Sequence, residues 1–226
     1  MRSFCLLLLA RHASGSAIGV HRQLFHHNLR EGGAWPEYDG DRSLLSIVPP
    51  GGHRNDTSEH SPGTTVEVSF FFFKIESVRP TSGEMGLKVW YRLAWQDDRL
   101  SWDPSAFGGT SEIQVRASSS SDKENTDIWT PDIVPFNSNE GIAATLDPAV
   151  AVVQSSGEVF WSRQGTLSLL CGFSGLNNFP FDELKCPSDV GGWMLDGAVQ
   201  NVRLFQGTTA CQSAALVAPT LAIRGS

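Results

Sequence analysis

Residues that could act as acids, bases or metal ligands are poorly placed for catalysis in this sequence. All six histidines precede residue 61, so the later, strand-rich part has no imidazole for acid–base chemistry or metal binding. There is no Gly-x-x-x-x-Gly-Lys phosphate loop, and Gly172-Phe-Ser-Gly175 misses the spacing of a Gly-x-Ser-x-Gly nucleophile elbow by one residue. Asp97 and Asp98 are adjacent after a predicted strand, where neighbouring side chains diverge. We therefore predict that the protein is not an enzyme and uses no metal ion or cofactor.

The composition is that of a folded, weakly charged and acidic chain. Its 226 residues are 40% apolar and 18% charged, and the excess of acidic side chains gives a net charge of −7. This is enough apolar material for a sizeable core. A chain without a broad basic face is not expected to bind nucleic acid. No apolar run approaches the roughly 18 to 20 residues of a membrane-spanning helix.

Alternating apolar and polar residues predict a chain made of many short strands. From Thr64 to Phe72 the even positions are mostly apolar, and the alternation shifts near Ile75, which predicts either a bulge or a change of environment midway along the strand. In the next strand, Leu87–Trp95, the odd positions are apolar and Trp90 lies on the other face. Further strands are predicted at Glu112–Arg116, Ala149–Gln154, Val159–Ser162, Thr166–Phe173 and Val199–Phe205. We predict an all-β fold, an immunoglobulin-like antiparallel β-sandwich.

The N-terminal region differs from the predicted strands in amino-acid composition. Residues 1–17 contain a positive residue, a short apolar stretch (Phe4–Ala10) and small residues at the end, which is typical of a secretory signal peptide. A ragged gene start is the alternative interpretation. Residues 18–63 are polar and rich in Gly and Pro, and we expect an irregular segment with a short helix at Gln23–Leu29.

The cysteines favour a disulfide over a metal site. Cys171 and Cys186 enclose 14 residues, and no histidine lies near enough to complete a zinc site with them. A disulfide closing a loop of this length stabilises a protein by about 3 kcal/mol. Removal of a signal peptide would remove Cys5 and leave Cys211 unpaired.

Four segments follow one another in a characteristic order. They are Trp90-Tyr-Arg-Leu-Ala-Trp-Gln-Asp-Asp-Arg-Leu-Ser-Trp-Asp-Pro104, Ile128-Trp-Thr-Pro-Asp-Ile-Val-Pro-Phe-Asn137, Gly157-Glu-Val-Phe-Trp161 and Cys171-Gly-Phe-Ser-Gly-Leu-Asn-Asn-Phe-Pro-Phe-Asp-Glu-Leu-Lys-Cys186. Together they resemble the extracellular ligand-binding domain of the Cys-loop receptor family, the pentameric ligand-gated ion channels, over residues 64–205. The last segment departs from the family in enclosing one residue more than is typical.

The resemblance implies a binding site for a small molecule, an amine or an amino acid, between the subunits of a homo- or hetero-pentamer. On the principal side of that site, Phe136 and Trp193 match family positions that contribute aromatic rings. On the complementary side, the matching residues are Trp90, Phe160 and Ser162. Such an aromatic box would hold an organic ammonium group by cation–π attraction or stack against a ring. The remaining tryptophans of the matching segments are predicted to pack in the core or in turns: Trp95, Trp102, Trp129 and Trp161.

The resemblance also implies a gating role for the disulfide loop. Phe179, Pro180, Phe181 and Asp182 match the part of that loop that couples ligand binding to the membrane domain in a receptor. Residues 206–226 show no recognisable capping loop, so the expectation is a fragment that lacks its last strands and its membrane channel domain. Such a subunit would lie on the extracellular side of the cell membrane. The alternative is a secreted soluble binding protein of the same fold, if the chain ends as written, and a β-sandwich adhesion or carbohydrate-binding module is a remote third option.

Overall fold

The computed structural model describes residues 17–25, 49–50, 63–119, 126–173, 186–195, 197, 199–205 and 221–223. The strands in these ranges are β1 (Thr64–Arg79), β2 (Glu84–Gln96), β3 (Glu112–Val115), β4 (Ile133–Pro135), β5 (Ala151–Gln154), β6 (Glu158–Leu170), β7 (Ser188–Gly192), β8 (Gln200–Leu204) and β9 (Leu221–Ile223). The helices are α1 (Ala17–Phe25) and α2 (Ile142–Thr145), and short 3₁₀ turns cover Asp98–Leu100 and Pro104–Phe107.

The strands form two sheets, one with the order β3-β5-β6-β2-β1-β8 and the other with the order β4-β7-β9. The predicted all-β sandwich is confirmed. Most neighbouring strands are antiparallel, but β8 runs parallel to β1 and β9 runs parallel to β7. The sheet pattern therefore includes two parallel pairs that the sequence analysis did not anticipate.

The longest ladder joins β2 along its whole length to β6, and β1 pairs with the other edge of β2. The register between β1 and β2 shifts between Phe72 and Lys74 and again between Ile75 and Ser77, so the predicted bulge is confirmed. Every second side chain of β2 faces the core, as alternation requires. These buried residues are Met85, Leu87, Val89, Tyr91, Leu93 and Trp95.

The single strand β6 replaces the two strands predicted at Val159–Ser162 and Thr166–Phe173. The interruption in the apolar pattern is Arg163 to Gly165, and Gly165 forms an isolated bridge to Leu146. A Cβ atom at position 165 would collide with the carbonyl oxygen of Thr145. The glycine therefore permits close approach of the α2 segment and does not end the strand.

The core contains the aromatic residues that were predicted to be structural. Trp95, Trp102, Trp129 and Trp161 are all buried, and the rings of Trp95 and Trp129 meet edge to face at 6.1 Å. The indole nitrogen of Trp161 donates a hydrogen bond to the carbonyl of Ala149. The prediction that these tryptophans pack inside the domain is confirmed.

The two adjacent carboxylates after β2 have different environments. Asp97 is fully buried, accepts two hydrogen bonds from the guanidinium of Arg99 and caps the following 3₁₀ turn, whereas Asp98 is exposed. The Asp97–Arg99 pair is therefore a structural ion pair.

Helix α1 begins six residues before the expected helix at Gln23–Leu29 and overlaps it only as far as Phe25. Val20, Leu24 and Phe25 lie on one side of α1 and are buried in the core. The rest of the expected helix lies outside the described residues, as do residues 1–16 of the predicted signal segment and most of the tail from residue 206 onward.

Candidate functional site

Phe136 and Trp193 are held by the ladder between β4 and β7. Phe136 follows β4 directly, and its amide donates a hydrogen bond to the carbonyl of Asp189. Trp193 follows β7 directly, where Gly192 pairs with Ile133. The two aromatic residues therefore leave opposite ends of one short ladder.

The turn after β7 is fixed by the buried carboxylate of Asp132. Its Oδ2 atom accepts hydrogen bonds from the amides of Trp193 at 3.1 Å and of Met194 at 2.5 Å. A Cβ atom at position 192 would lie 2.5 Å from the carbonyl oxygen of Leu195, so only glycine permits this tight turn. Asp132 thus positions the Trp193 backbone, a role that the sequence analysis did not assign to it.

Phe136 and Trp193 line a common cavity of about 450 Å³, a volume typical of small-molecule sites. Trp193 is 73% exposed and Phe136 is 44% exposed. Both side chains are therefore open to the cavity and to solvent. Ile142, Trp161, Arg163 and Met194 also line the cavity.

Arg163 is a charged residue of the cavity that the sequence analysis did not single out. It lies on β6 two residues after Trp161, and both side chains are buried. The guanidinium carbon is 3.9 Å from the centroid of the Trp161 ring and 5.5 Å from that of Tyr91. Burial lowers the pKa of Arg163. Val159 and Trp161 occupy alternate positions before Arg163 and predict an inward-facing side chain at position 163. This alternation is the sequence signal that could have placed the arginine inside the domain.

Trp90, Phe160 and Ser162 share the face of the large sheet that points away from the core. In the β2–β6 ladder Trp90 pairs with Gln164, Arg92 pairs with Ser162 and Ala94 pairs with Phe160. Phe160 is 40% exposed. The strand register therefore places the three residues on the same face of the sheet, and their role in ligand binding stays a prediction.

Trp90 is not a bare ring on this surface. Its centroid lies 4.5 Å from that of Phe73 and 5.7 Å from that of Phe71. The guanidinium of Arg92 lies 4.9 Å from the same ring. None of Trp90, Phe160 and Ser162 lines the cavity that contains Phe136 and Trp193.

The disulfide between Cys171 and Cys186 is present, and both residues are buried. The amide of Cys171 donates a hydrogen bond to the carbonyl of Gly83 in the β1–β2 turn, so the base of the disulfide loop is tied to that hairpin. Phe179, Pro180, Phe181 and Asp182 lie outside the described residues.

Comparison with protein families shows to which family this chain belongs. Residues 52–218 match the model of the neurotransmitter-gated ion-channel ligand binding domain. The chain belongs to this family. Family members are subunits of ligand-gated channel receptors, which assemble as pentamers in membranes and bind small ligands; they are not a class of enzymes.

Several curated receptor subunits are similar to this chain. It is 32% identical over 109 residues to the acetylcholine receptor subunit alpha-like 2 of Drosophila melanogaster, covering 48% of this chain and 17% of the relative. It is 32% identical over 121 residues to the neuronal acetylcholine receptor subunit beta-3 of Rattus norvegicus, covering 54% and 24%. The human beta-3 subunit is 28% identical over 153 residues, covering 68% and 30%.

The chain matches less than a third of the length of each of these relatives. The relatives are membrane receptors with an extracellular ligand-binding domain. Among the residues that the structure describes, no helix combines the length and the apolar character needed to cross a bilayer.

Proposed function

We propose that this chain is the extracellular ligand-binding domain of a subunit of a pentameric ligand-gated ion channel, and that it binds a small ligand between subunits to open the channel. The observation that carries the proposal is the separation of the candidate site into two halves. Phe136 and Trp193 border an open cavity beside the β4–β7 ladder, whereas Trp90 and Phe160 lie on the outer face of the large sheet. A site that contains both halves requires two copies of the fold.

The ligand is a small organic ammonium compound, either an amine or an amino acid. The exposed ring of Trp193 supplies a π face for a cation, and Phe136 adds a second ring at the same cavity. The relatives named above as acetylcholine receptor subunits support a ligand with an ammonium group.

The assembly and binding parts of the proposal are tested with the full chain secreted from eukaryotic cells. Size-exclusion chromatography with light scattering should give a particle of five times the chain mass. Tryptophan fluorescence should then report saturable binding of one member of a panel that contains acetylcholine, glycine, γ-aminobutyrate and glutamate.

Matched variants locate the ligand in that assay. Trp193→Ala and Phe160→Ala should each weaken binding at least tenfold because they lie on opposite halves of the site. The control is Val78→Ala, which removes an exposed apolar side chain at the turn end of the β1–β2 ladder, where Val78 pairs with Met85. Full affinity in a monomer that is insensitive to Phe160→Ala would refute binding between subunits.

The gating part of the proposal is tested with the product of the complete native transcript in oocytes. We expect ligand-evoked currents whose half-maximal concentration rises at least tenfold in Trp193→Ala. Ligand binding without any current from the assembled protein would contradict gating and would favour the soluble binding protein.

A further inference from the structure

The buried charge of Arg163 is not balanced by the part of the fold that the structure describes. Arg163 is only 6% exposed. None of the ion pairs found among the described residues involves its guanidinium group. An arginine remains protonated at any physiological pH, so its charge persists inside the domain.

The aromatic neighbours of Arg163 are an incomplete substitute for a counterion. The Trp161 ring lies against the guanidinium at 3.9 Å, and the Tyr91 ring lies at 5.5 Å. The Tyr91 hydroxyl is neutral and donates its own hydrogen bond to the carbonyl of Ile133. Cation–π contacts of this kind leave the N–H groups at the edge of the guanidinium to be satisfied.

The acidic residues of the cavity are placed elsewhere. Asp132 accepts the amides of Trp193 and Met194, and its carbonyl and amide bond to Gln200. Glu140 is exposed at the cavity rim. The ion pairs formed among the described residues pair Arg163 with neither of them.

Arg163 lines the same cavity as several apolar side chains. Ile133, Ile142, Trp161 and Met194 contribute apolar surface there, and the volume of about 450 Å³ accommodates a small organic molecule. A buried cation beside an apolar wall is complementary to a molecule that has an anionic head and an apolar body.

We propose that this cavity binds a small organic carboxylate, whose carboxylate group pairs with the guanidinium of Arg163 and whose apolar body packs against Trp161 and Ile142. Arginine binds carboxylates through two parallel N–H···O hydrogen bonds, and burial strengthens such a pair. The site is formed within one chain. It therefore does not depend on the assembly of subunits, although Phe136 and Trp193 border the same cavity.

The experiment compares benzoate with benzamide, an uncharged molecule of almost the same shape. Isothermal titration calorimetry and tryptophan fluorescence are recorded on the full chain in a carboxylate-free buffer. We expect benzoate to bind at least tenfold more tightly than benzamide and to change the fluorescence of Trp161. Equal affinities for the two probes would overturn the proposal, whatever the behaviour of any variant.

Substitutions test whether Arg163 supplies the charge. Arg163→Gln should weaken benzoate binding at least tenfold and leave benzamide binding unchanged, and Arg163→Lys should retain part of the benzoate affinity. The matched control is Arg203→Gln, which removes an exposed arginine of β8 and should have no effect. Unchanged benzoate affinity in Arg163→Gln would overturn the assignment of this residue.

Thermal unfolding provides a second readout in case a variant binds no probe. Benzoate should raise the melting temperature of the unmodified chain and not that of Arg163→Met. Without benzoate, Arg163→Met should melt at or above the temperature of the unmodified chain, because it removes a buried charge that forms no ion pair with any described residue. A large loss of stability in this variant would show that the charge is already paired within the fold.

The same measurements separate this proposal from binding between subunits. Benzoate binding in a monomeric fraction supports the carboxylate site even if no pentamer forms. Conversely, a pentamer can bind its ligand through Trp193 and Phe160 and yet bind benzoate and benzamide equally well. That result supports the receptor function and refutes the carboxylate site.

Discussion

The guanidinium carbon of Arg92 lies 4.9 Å from the ring centroid of Trp90, on the face of β2 that points away from the core. The Nε atom of Arg92 is buried and has no hydrogen-bond partner in the described structure. The positively charged guanidinium of Arg92 therefore already lies against the Trp90 ring, which the family resemblance assigns to ligand binding. A ligand ammonium group that approaches Trp90 must compete with Arg92 for the ring and is repelled by its charge.

Removal of Arg92 should make Trp90 a better cation receptor. In the assembled protein, Arg92→Gln is expected to raise the affinity for tetramethylammonium by about 3- to 10-fold, because the ring loses its internal cation. Tryptophan fluorescence measures the change, and Arg203→Gln is the control for loss of one positive charge. An affinity that does not rise in Arg92→Gln would show that Trp90 is not a ligand contact.

The two tryptophans assigned to the ligand should differ in their effect on stability. Trp90 contacts Phe71 and Phe73, so Trp90→Ala should cost about 2 to 4 kcal/mol of unfolding free energy. Trp193 is 73% exposed, and Trp193→Ala should change that free energy by no more than about 0.5 kcal/mol. Urea denaturation of the two variants beside the unmodified chain measures both values. Similar losses in both variants would mean that Trp193 is packed within its own subunit.

Alkaline pH should destabilise the domain through Tyr91. Burial raises the pKa of the Tyr91 hydroxyl well above its ordinary value, Asp132 raises it further, and the charge of Arg163 opposes both effects. Below about pH 10 the hydroxyl is protonated in both the folded and the unfolded chain. Above that pH only the unfolded chain releases the proton, so the free energy of unfolding should fall by up to about 1.4 kcal/mol per pH unit.

The control for this pH effect is Tyr91→Phe, which keeps the ring and removes the titrating group. Guanidinium denaturation between pH 8 and 11 should give a shallower decline for Tyr91→Phe than for the unmodified chain. Parallel declines would assign the alkaline sensitivity to other groups.

The disulfide should make a large contribution to stability. Cys171 and Cys186 are separated by 15 positions, and opening a loop of that size costs about 3 kcal/mol. Denaturation with and without dithiothreitol should show this loss in the unmodified chain. The double variant Cys171→Ser with Cys186→Ser should match the reduced chain and should not respond to the reductant.

The outward orientation of Trp90 and the burial of Trp95 were predictable because alternation along β2 is regular. Gly165 misled the prediction of β6, since a glycine in a strand marks either an end or a close approach, and only the position of Thr145 distinguishes the two. The strands β4 and β7 are short and contain Pro135, Gly191 and Gly192, so local preferences give no strand signal there.

The sequence predicted individual residues of the candidate site but not how they are arranged in space. Motif matches selected Phe136 and Trp193, yet their common cavity depends on a ladder between β4 and β7, which are far apart in sequence. Nothing local specifies that pairing. Arg163 was missed because no motif contains it, although its inward position follows from the same alternation that was used for β2.

The parallel pairing of β1 with β8 has a consequence for biosynthesis. Thr64 pairs with Gln200, so the outer edge of β1 meets its partner only after 136 further residues have been translated. At ordinary ribosomal rates that interval lasts on the order of ten seconds. During that time a phenylalanine-rich strand is presented to the cellular environment with one edge unpaired. The nascent chain is therefore a natural client for chaperones, and the yield of folded protein should depend more on their supply than on the stability of the finished domain.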